Sequence, residues 1–332
     1  MGLIGELFTG YIGQLSELTT VDVSHNPGLT GQISKHISSL RKLLILDLAG
    51  CSFSGCIPDS LGALEQLTYI DMSSNNLSGI IPSALGQLSN LYLLDLSDNQ
   101  LTGPLPISSH TTHGGLDLLL KAQHLFLYNN QLSGSIPPEL FSSAMSLASL
   151  FLDGNHFTGV IPMTLGLVKT LQAVRLADNS LTGTVPSNLN NLTNVFDLNL
   201  GKNKLTGSLP DLTAMKSLIY VDLSDNSFDP SEAPLWFSTL PRLDTLNMEC
   251  GSLQGVVPEN LFSLPELQQV NLKNNMFNGL NMGNNISRQL KLVDLECNHI
   301  SELTIEEKYK GELILKGNPI CSGSLSNSTW CQ

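Results

Sequence analysis

LDLAGCSFSGCIP, residues 46–58, and IDMSSNNLSGIIP, residues 70–82, align residue for residue. Apolar side chains, a glycine and a proline recur at the same places in both stretches. Cys51 occupies the position at which the second stretch has the polar residue Asn75. Self-similarity at a fixed spacing is the signature of a repeat architecture, so the pair indicates that the chain is built from repeats.

The repeat extends over nearly the whole chain. Its template is L-x-x-L-x-L-x-x-N-x-L-x-G-x-I-P, which Leu91–Pro106 (LYLLDLSDNQLTGPLP) and Leu147–Pro162 (LASLFLDGNHFTGVIP) follow. The asparagine position recurs about every 23 to 25 residues, which predicts about thirteen leucine-rich repeats. The gap between Asn99 and Asn130 is longer. The asparagine column runs through Asn26, Cys51, Asn75, Asn99, Asn130, Asn155, Asn179, Asn203, Asn226, Gly251, Asn275, Asn298 and Asn318.

The template also predicts how one repeat folds. The leucines of L-x-L point to one face of a strand and the x residues to the other, because side chains alternate along a strand. The leucines would form the core, and the x residues would line the concave face. A single repeat cannot bury enough apolar surface to fold alone, so repeats must stack. We therefore predict an α/β solenoid, a right-handed superhelix with a parallel sheet on its concave face.

The asparagine column is placed where the chain turns out of each strand. An amide side chain donates and accepts hydrogen bonds at once, so stacked asparagines would satisfy the backbone of neighbouring coils. Cys51 is small and has a weak S–H donor, which suits the same role. Gly251 has no side chain, and we expect a water to substitute there. A second hypothesis stays open, in which Cys51 and Cys56, which flank one turn, form a redox pair.

Leu77–Pro106, LSGIIPSALGQLSNLYLLDLSDNQLTGPLP, resembles the plant-type extracellular leucine-rich repeat. The chain is similar to the ectodomains of plant leucine-rich repeat receptor-like kinases over residues 3–332. Its end, Asn318–Cys331 (NPICSGSLSNSTWC), resembles the cysteine cap that closes such ectodomains. The resemblance implies a solenoid over residues 1–318, with an insert at 104–123, and a C-terminal cysteine cap at 319–332. The cysteine pair and tryptophan of an N-terminal cap are absent, so we expect the first coil to be exposed and unstable.

The remaining cysteines fall into two pairs. Within the resemblance, Cys321 and Cys331 would form a disulfide that closes the last coil and indicates an extracellular protein. Cys250 and Cys297 share a column two coils apart, about 10 Å at a coil spacing of about 4.8 Å. Because a disulfide needs Cα atoms within about 7 Å, we expect these two to be free.

Glycosylation is predicted from four N-x-S/T sequons. Such sequons accept glycans in secreted proteins, although chance occurrences are expected in a chain so rich in asparagine. The four acceptor positions are Asn76, Asn191, Asn285 and Asn327.

Composition excludes several classes of function. The net charge is −13 and the pI is near 4.8, so the chain repels nucleic acid and anionic membrane surfaces and suits a neutral or basic partner. No apolar run is long enough to span a bilayer. No catalytic, kinase, cofactor or metal motif occurs, so we predict a chain that is not an enzyme and binds neither cofactor nor metal.

The x positions of the strands indicate where a ligand would bind. Asp22, Asp47, Asp71 and Asp95 predict a solvated acidic strip, but Phe126 and Phe151 are unusual on a polar face. Either they form a ligand surface, or the insert Pro104–Gln123 folds over them. The candidate ligand-binding residues are His124, Phe126, Tyr128, Ser149, Phe151, Asp153, Arg175, Asp197, Asn199, Tyr220 and Asp222.

The resemblance implies a function without catalysis. The chain would be the recognition ectodomain of a receptor-like serine/threonine kinase, binding a peptide, a small molecule or the ectodomain of a co-receptor kinase. It would lie on the extracellular face of the plasma membrane. Two alternatives are a secreted leucine-rich repeat inhibitor of cell-wall-degrading enzymes and an extracellular redox sensor based on cysteine.

Overall fold

The computed structural model describes residues 2–8, 11–111, 113–305, 309–323 and 325–332. The chain divides into two compact units, Met1–Leu171 and Gln172–Gln332. In both units each repeat contributes one strand to an inner parallel sheet, followed by a turn and an outer element. Among the described residues there is no α-helix, and the helical segments are short 3-10 helices.

The first unit has two parallel sheets. Its inner strands pair in chain order with no offset, so that Asp47 pairs with Asp71 and Phe126 with Phe151. The inner strands are Thr20–Asp22, Ile45–Asp47, Tyr69–Asp71, Leu93–Asp95, His124–Phe126 and Ser149–Phe151. The outer strands are Ile4–Glu6, Gly28–Gln32, Ser52–Cys56, Asn76–Ile80, Gln100–Gly103, Gln131–Ser135 and His156–Val160. The 3-10 helices are Ile12–Gln14, Lys35–Ser39, Asp59–Ala63, Ser83–Gln87, Leu116–Leu118, Pro138–Leu140 and Met163–Leu167.

The second unit follows the same plan with a less regular outer side. Its inner strands are Ala173–Arg175, Asp197–Asn199, Tyr220–Asp222, Thr245–Asn247, Gln269–Asn271, Leu292–Asp294 and Glu312–Ile314. One outer group consists of Ser180–Gly183, Lys204–Gly207 and Ser227–Phe228, and the other of Ser231–Glu232, Leu253–Val257, Met276–Asn281 and Glu302–Thr304. The 3-10 helices are Ser187–Asn191, Leu235–Ser238, Glu259–Ser263, Pro319–Ser322 and Thr329–Cys331.

The leucines of the template form the core, as the alternation predicts. Leu94 and Leu96 flank the half-buried Asp95, which points to the opposite face of the strand, and both leucines are completely buried. The G-x-I-P segment requires its glycine for steric reasons. Gly79 has φ 78°, and a Cβ there would lie 2.7 Å from Cys56 Sγ. Repeated burial of leucine between adjacent coils supplies the hydrophobic stabilisation of each unit.

The asparagine column forms a hydrogen-bonded ladder between coils. Asn99 Nδ2 donates to the Met72 carbonyl of the preceding coil at 2.9 Å, and to Leu96 and Ser97 of its own coil. Its Oδ1 accepts the Leu77 N–H of the preceding coil at 2.9 Å. One buried amide therefore satisfies backbone groups of two coils.

Two members of the column lack the amide. Cys51 Sγ lies 3.3 Å from the Val23 carbonyl oxygen of the preceding coil, so the thiol takes the donor role of an asparagine. Gly251 has no side chain, and its backbone N–H donates at 3.0 Å to Asn275 Oδ1 of the next coil, which also accepts the Leu253 N–H at 2.9 Å. The ladder position of Cys51 was predicted from the sequence, whereas the double acceptance by Asn275 was not.

The insert between Pro104 and Gln123 packs on the 3-10 side of the first unit. A Cβ at Gly86 would lie 2.1 Å from the Gly115 carbonyl oxygen, so the insert backbone touches the helix Ser83–Gln87. Asp117 closes the loop on itself by accepting hydrogen bonds from the Ser108 N–H, at 2.8 Å, and from the Ser108 hydroxyl.

We predict that Asn130→Ala lowers the free energy of unfolding by about 2–4 kcal/mol, because it strands buried groups that each cost about 1–3 kcal/mol when unpaired. Asn130 donates to Leu96 and Leu127 and accepts from Leu101. Urea unfolding monitored by circular dichroism measures the change. The matched control is the exposed Asn76→Ala, expected within about 0.5 kcal/mol of wild type. Equal losses in the two variants would contradict the ladder.

Candidate functional site

Aromatic side chains project side by side from two neighbouring inner strands of the first unit. Phe126 and Phe151 occupy paired positions, and their rings stack at 4.7 Å with 25° between planes. Tyr128 lies 6.4 Å from Phe151, and His124 lies 5.7 Å from Phe126. The strict register places these rings together, because residues at the same template position pair directly across parallel strands.

Tyr92 completes this group and was missed by the sequence analysis. Its ring meets His124 edge-on at 5.3 Å, and its hydroxyl lies 3.3 Å from His124 Nε2. Tyr92 occupies the x position just before the strand Leu93–Asp95. We call Tyr92, His124, Phe126, Tyr128 and Phe151 the aromatic shelf.

His124 is held at the centre of the aromatic shelf. Its Nδ1 lies 3.2 Å from Ser149 Oγ, so both ring nitrogens face a hydroxyl group. Burial lowers the pKa of His124 below its ordinary value. The imidazole is therefore neutral near pH 7, and the shelf presents an apolar and polarisable surface.

The insert does not cover the shelf, so the prediction that it folds over Phe126 and Phe151 is wrong for its described residues. Gly114 and Gly115 lie against Ser83–Gln87 on the 3-10 side instead. The two phenyl rings are half-buried, and the contacts among the shelf rings account for part of that burial. The insert's length alone could not show on which side it packs.

An acidic row leads into the aromatic shelf. Asp22, Asp47, Asp71 and Asp95 pair in register along four strands, and Asp95 pairs with Phe126. Among the described residues no Lys, Arg or His forms an ion pair with them. Burial raises the pKa of Asp95 to about 6, although hydrogen bonds from Ser97 act in the opposite direction. The row presents a negative edge beside the shelf.

The candidate residues of the second unit include two hydrogen-bonded pairs, Arg175 with Asp197 and Tyr220 with Asp222. Arg175 donates from Nε and Nη2 to Asp197 Oδ2, at 2.9 and 2.6 Å. Asp222 Oδ2 accepts from Tyr220 Oη at 3.2 Å and from Asn247 Nδ2 at 2.9 Å. Burial, followed by the charge of Asp222, raises the pKa of Tyr220 to about 12.

The last candidates differ in what their polar atoms contact. Asn199 Oδ1 accepts the Gly201 N–H at 3.1 Å, which fixes the turn after its strand. Ser149 contacts His124, and Asp153 lies beyond the end of the strand Ser149–Phe151. The structure therefore brings the candidates of the first unit together around the shelf, whereas the polar candidates of the second unit largely satisfy one another.

The cysteines divide by burial. Cys51 is buried in the ladder, burial raises its thiol pKa, and Cys56 lies exposed at the far end of the strand Ser52–Cys56. This separation gives the redox-pair hypothesis no geometric support. Cys250 and Cys297 are free, as coil spacing predicts, and Cys321 and Cys331 form a disulfide with Cα atoms 5.5 Å apart.

The four N-x-S/T sequons lie within the residues that the structure describes. The sequon residues Asn76, Asn191, Asn285 and Asn327 are all exposed, and their glycosylation stays a prediction. No helix there is long and apolar enough to cross a bilayer. Nor does any group of three or more His, Cys, Asp or Glu side chains there have an arrangement that could hold a metal ion.

Stacked parallel strands, a buried asparagine ladder and outward-facing side chains at the x positions define a leucine-rich repeat protein. The family model described as leucine rich repeat matches residues 43–101, and a second leucine-rich repeat model matches residues 121–143 and 170–192. The chain belongs to the leucine-rich repeat proteins, and its repeats are of the plant receptor type.

Two proteins of Arabidopsis thaliana are similar in sequence to this chain. A probable leucine-rich repeat receptor-like protein kinase of Arabidopsis thaliana is 56% identical over 93% of this chain, which spans 33% of that kinase. Receptor-like protein 49 of the same plant is 42% identical over 49% of this chain and 22% of its own length. The chain thus spans a third or less of these relatives.

Solved structures show the same fold. The crystal structure of a TDR receptor has a TM-score of 0.81 and 30% identity, covering 90% of this chain and 50% of that one. The plant peptide hormone receptor RGFR1 in complex with RGF2 has a TM-score of 0.73 and 30% identity, with the same two coverages. The Arabidopsis receptor kinase HAESA, in complex with the peptide hormone IDA and the co-receptor SERK1, has a TM-score of 0.69 and 27% identity, covering 95% and 61%.

We predict that iodoacetamide at pH 7.5 alkylates Cys56 at least tenfold faster than Cys51, because alkylation requires an accessible thiolate. Burial and the raised pKa keep the Cys51 thiol protonated and shielded. Peptide mass spectrometry of timed samples gives both rates. Labelling in concentrated urea is the control and should bring the rates together, and equal rates in the folded protein would refute the structural role of Cys51.

The pKa of Asp95 predicts a pH-dependent stability. Because this pKa is raised from 3.8 to about 6 on folding, the carboxyl stabilises the fold at low pH, and that contribution is lost as pH rises through about 6. The Tm of the wild type minus the Tm of the Asp95→Asn variant should therefore fall by about 2–4 °C between pH 4 and pH 7.5. Asp22→Asn is the control with the opposite slope, because hydrogen bonds from Ser24 lower the pKa of Asp22. A Tm difference for Asp95→Asn that is independent of pH would contradict the burial of its carboxyl.

Proposed function

We propose that the chain is the ligand-recognition ectodomain of a plant leucine-rich repeat receptor-like serine/threonine kinase, and that its ligand binds on the aromatic shelf. The observation that carries the proposal is the stacked Phe126–Phe151 pair on an otherwise polar strand face. Rigid aromatic side chains supply contact area at little cost in conformational entropy, which suits them as anchors for a partner.

The relatives support a peptide as the ligand. RGFR1 and HAESA are described in complex with the peptide hormones RGF2 and IDA, and the HAESA complex also holds the co-receptor SERK1. By analogy this ectodomain would bind a peptide and then the ectodomain of a co-receptor kinase. The parent protein would act at the extracellular face of the plasma membrane. Catalysis would belong to a kinase domain elsewhere in the parent protein.

The chemistry of the site narrows the kind of peptide. An apolar or aromatic side chain would lie on the stacked rings of Phe126 and Phe151, where contact with Tyr128 adds to the buried area. Basic groups of the same peptide would lie over Asp71 and Asp95, whose strands are the next in register. Opposite charge in such a position steers association and fixes orientation more than it adds affinity.

We predict that Phe126→Ala combined with Phe151→Ala weakens binding at least tenfold, because central aromatic anchors each contribute about 2 kcal/mol or more. A panel of synthetic secreted plant peptides is screened against the immobilised wild-type chain, and the Kd of the best binder is then compared between variants. Circular dichroism and Tm check that the variant stays folded.

The matched control for this experiment is Leu235→Ala, which removes an exposed apolar side chain from the 3-10 helix Leu235–Ser238 of the second unit. Its Kd should stay within twofold of wild type. Unchanged affinity in the folded double variant would remove the aromatic shelf from the recognition site. Failure of every peptide to bind wild type would count against a peptide receptor.

A further inference from the structure

A cavity of about 770 Å³ opens in the second unit, beside the starts of the inner strands Leu292–Asp294 and Glu312–Ile314. It lies between the segment that follows the strand Met276–Asn281 and the segment that precedes the strand Glu312–Ile314. We call it the cationic cavity. Its lining includes Asn284, Arg288, Leu290, Lys291, Tyr309 and Lys310.

Hydrogen bonds fix the walls of the cationic cavity. The Ser287 N–H donates to the Phe262 carbonyl at 2.7 Å, which ties one wall to the preceding coil. On the other wall the Glu312 N–H donates to the Lys291 carbonyl at 2.7 Å, and the Tyr309 hydroxyl donates to the Glu312 carbonyl at 3.0 Å. The cavity is therefore supported by backbone pairing between adjacent coils.

The charge of the cationic cavity is opposite to that of the chain. Three of the chain's 16 Lys and Arg residues line it, while the whole chain carries a net charge of −13. Arg288, Lys291 and Lys310 form no ion pair within the described residues, and Lys291 Nζ donates to the neutral amide of Gln268. Glu312 is the acidic residue of the lining. Three cationic side chains and one carboxylate thus leave the described lining with a net positive charge.

Size and lining together select the ligand class. A volume of about 770 Å³ falls in the range of small-molecule sites and far exceeds a single inorganic anion. Three cations on two segments suit a ligand with more than one negative charge. Asn284 offers an amide that can bond to hydroxyls, and the half-buried ring of Tyr309 offers a flat face.

We propose that the cationic cavity binds a short acidic oligosaccharide. Carboxylates of uronic acid residues would pair with Arg288, Lys291 and Lys310, and a sugar ring would lie on Tyr309. Arginine and lysine bind carboxylates through charge-assisted hydrogen bonds, which are about twice as strong as neutral ones.

The test is isothermal titration calorimetry of residues 1–332 with a trimer of galacturonic acid at low salt. The chain carries Asn285→Gln throughout, so that no glycan can occupy the cavity rim. We expect binding that weakens as salt is added, because the contacts are ionic. The methyl-esterified trimer, which lacks the charges, should bind at least tenfold more weakly. Equal binding of the ester, or no binding of the acid at millimolar concentration, would overturn the proposal.

Two double variants test whether the acidic trimer binds in the cationic cavity. Arg288→Gln with Lys310→Gln should weaken binding of the acidic trimer at least tenfold. Lys202→Gln with Lys204→Gln removes the same charge from exposed positions of the same unit, and should change affinity less than twofold. Equal losses in the two double variants would indicate attraction by net charge alone and overturn the assignment to the cavity. Inorganic sulfate should fail to displace the trimer at equal concentration, and full displacement would reject an oligosaccharide site.

Discussion

The hydrogen bonds from each column asparagine to the backbone of the preceding coil are the constraint on which the rest of the structure depends. Asn130, Asn155 and Asn203 are buried where each chain turn would otherwise leave N–H and C=O groups without partners. Leucine burial brings coils together without direction, whereas the amides fix their register. Because the register is strict, residues at one template position align across strands, and that alignment creates both the acidic row and the aromatic shelf.

The strand face on which we propose that a ligand binds therefore arises from the same rule that builds the core. Alternation sends every second side chain outward, and the ladder stacks those outward positions into rows. A row of aspartates forms a solvated edge, but phenylalanines at the same position of two neighbouring strands form an aromatic surface. Function in such a fold can change by substitution at exposed positions, without any change in the leucines or asparagines that hold the coils.

Much of this could be predicted from the sequence, because the repeat is periodic. The ladder role of Cys51 and the pairing of Phe126 with Phe151 follow from alignment of the repeats alone. What could not be predicted depends on contacts with no fixed spacing. The insert carries no template position, so its packing against Ser83–Gln87 had no sequence signal. The bonding of Arg175 to Asp197 similarly depends on side-chain conformation, which the template does not encode.

The ladder can be tested most directly at a single backbone amide. Leu132 N–H donates to Asn155 Oδ1 of the next coil at 3.0 Å, and Leu77 N–H donates to Asn99 Oδ1 at 2.9 Å. Hydrogen exchange, resolved by residue, is measured in wild type and in Asn155→Ala under native conditions. The account predicts that Leu132 exchanges at least tenfold faster in the variant while Leu77 keeps its wild-type rate. Unchanged exchange at Leu132 would contradict the claim that the asparagine column ties each coil to the next.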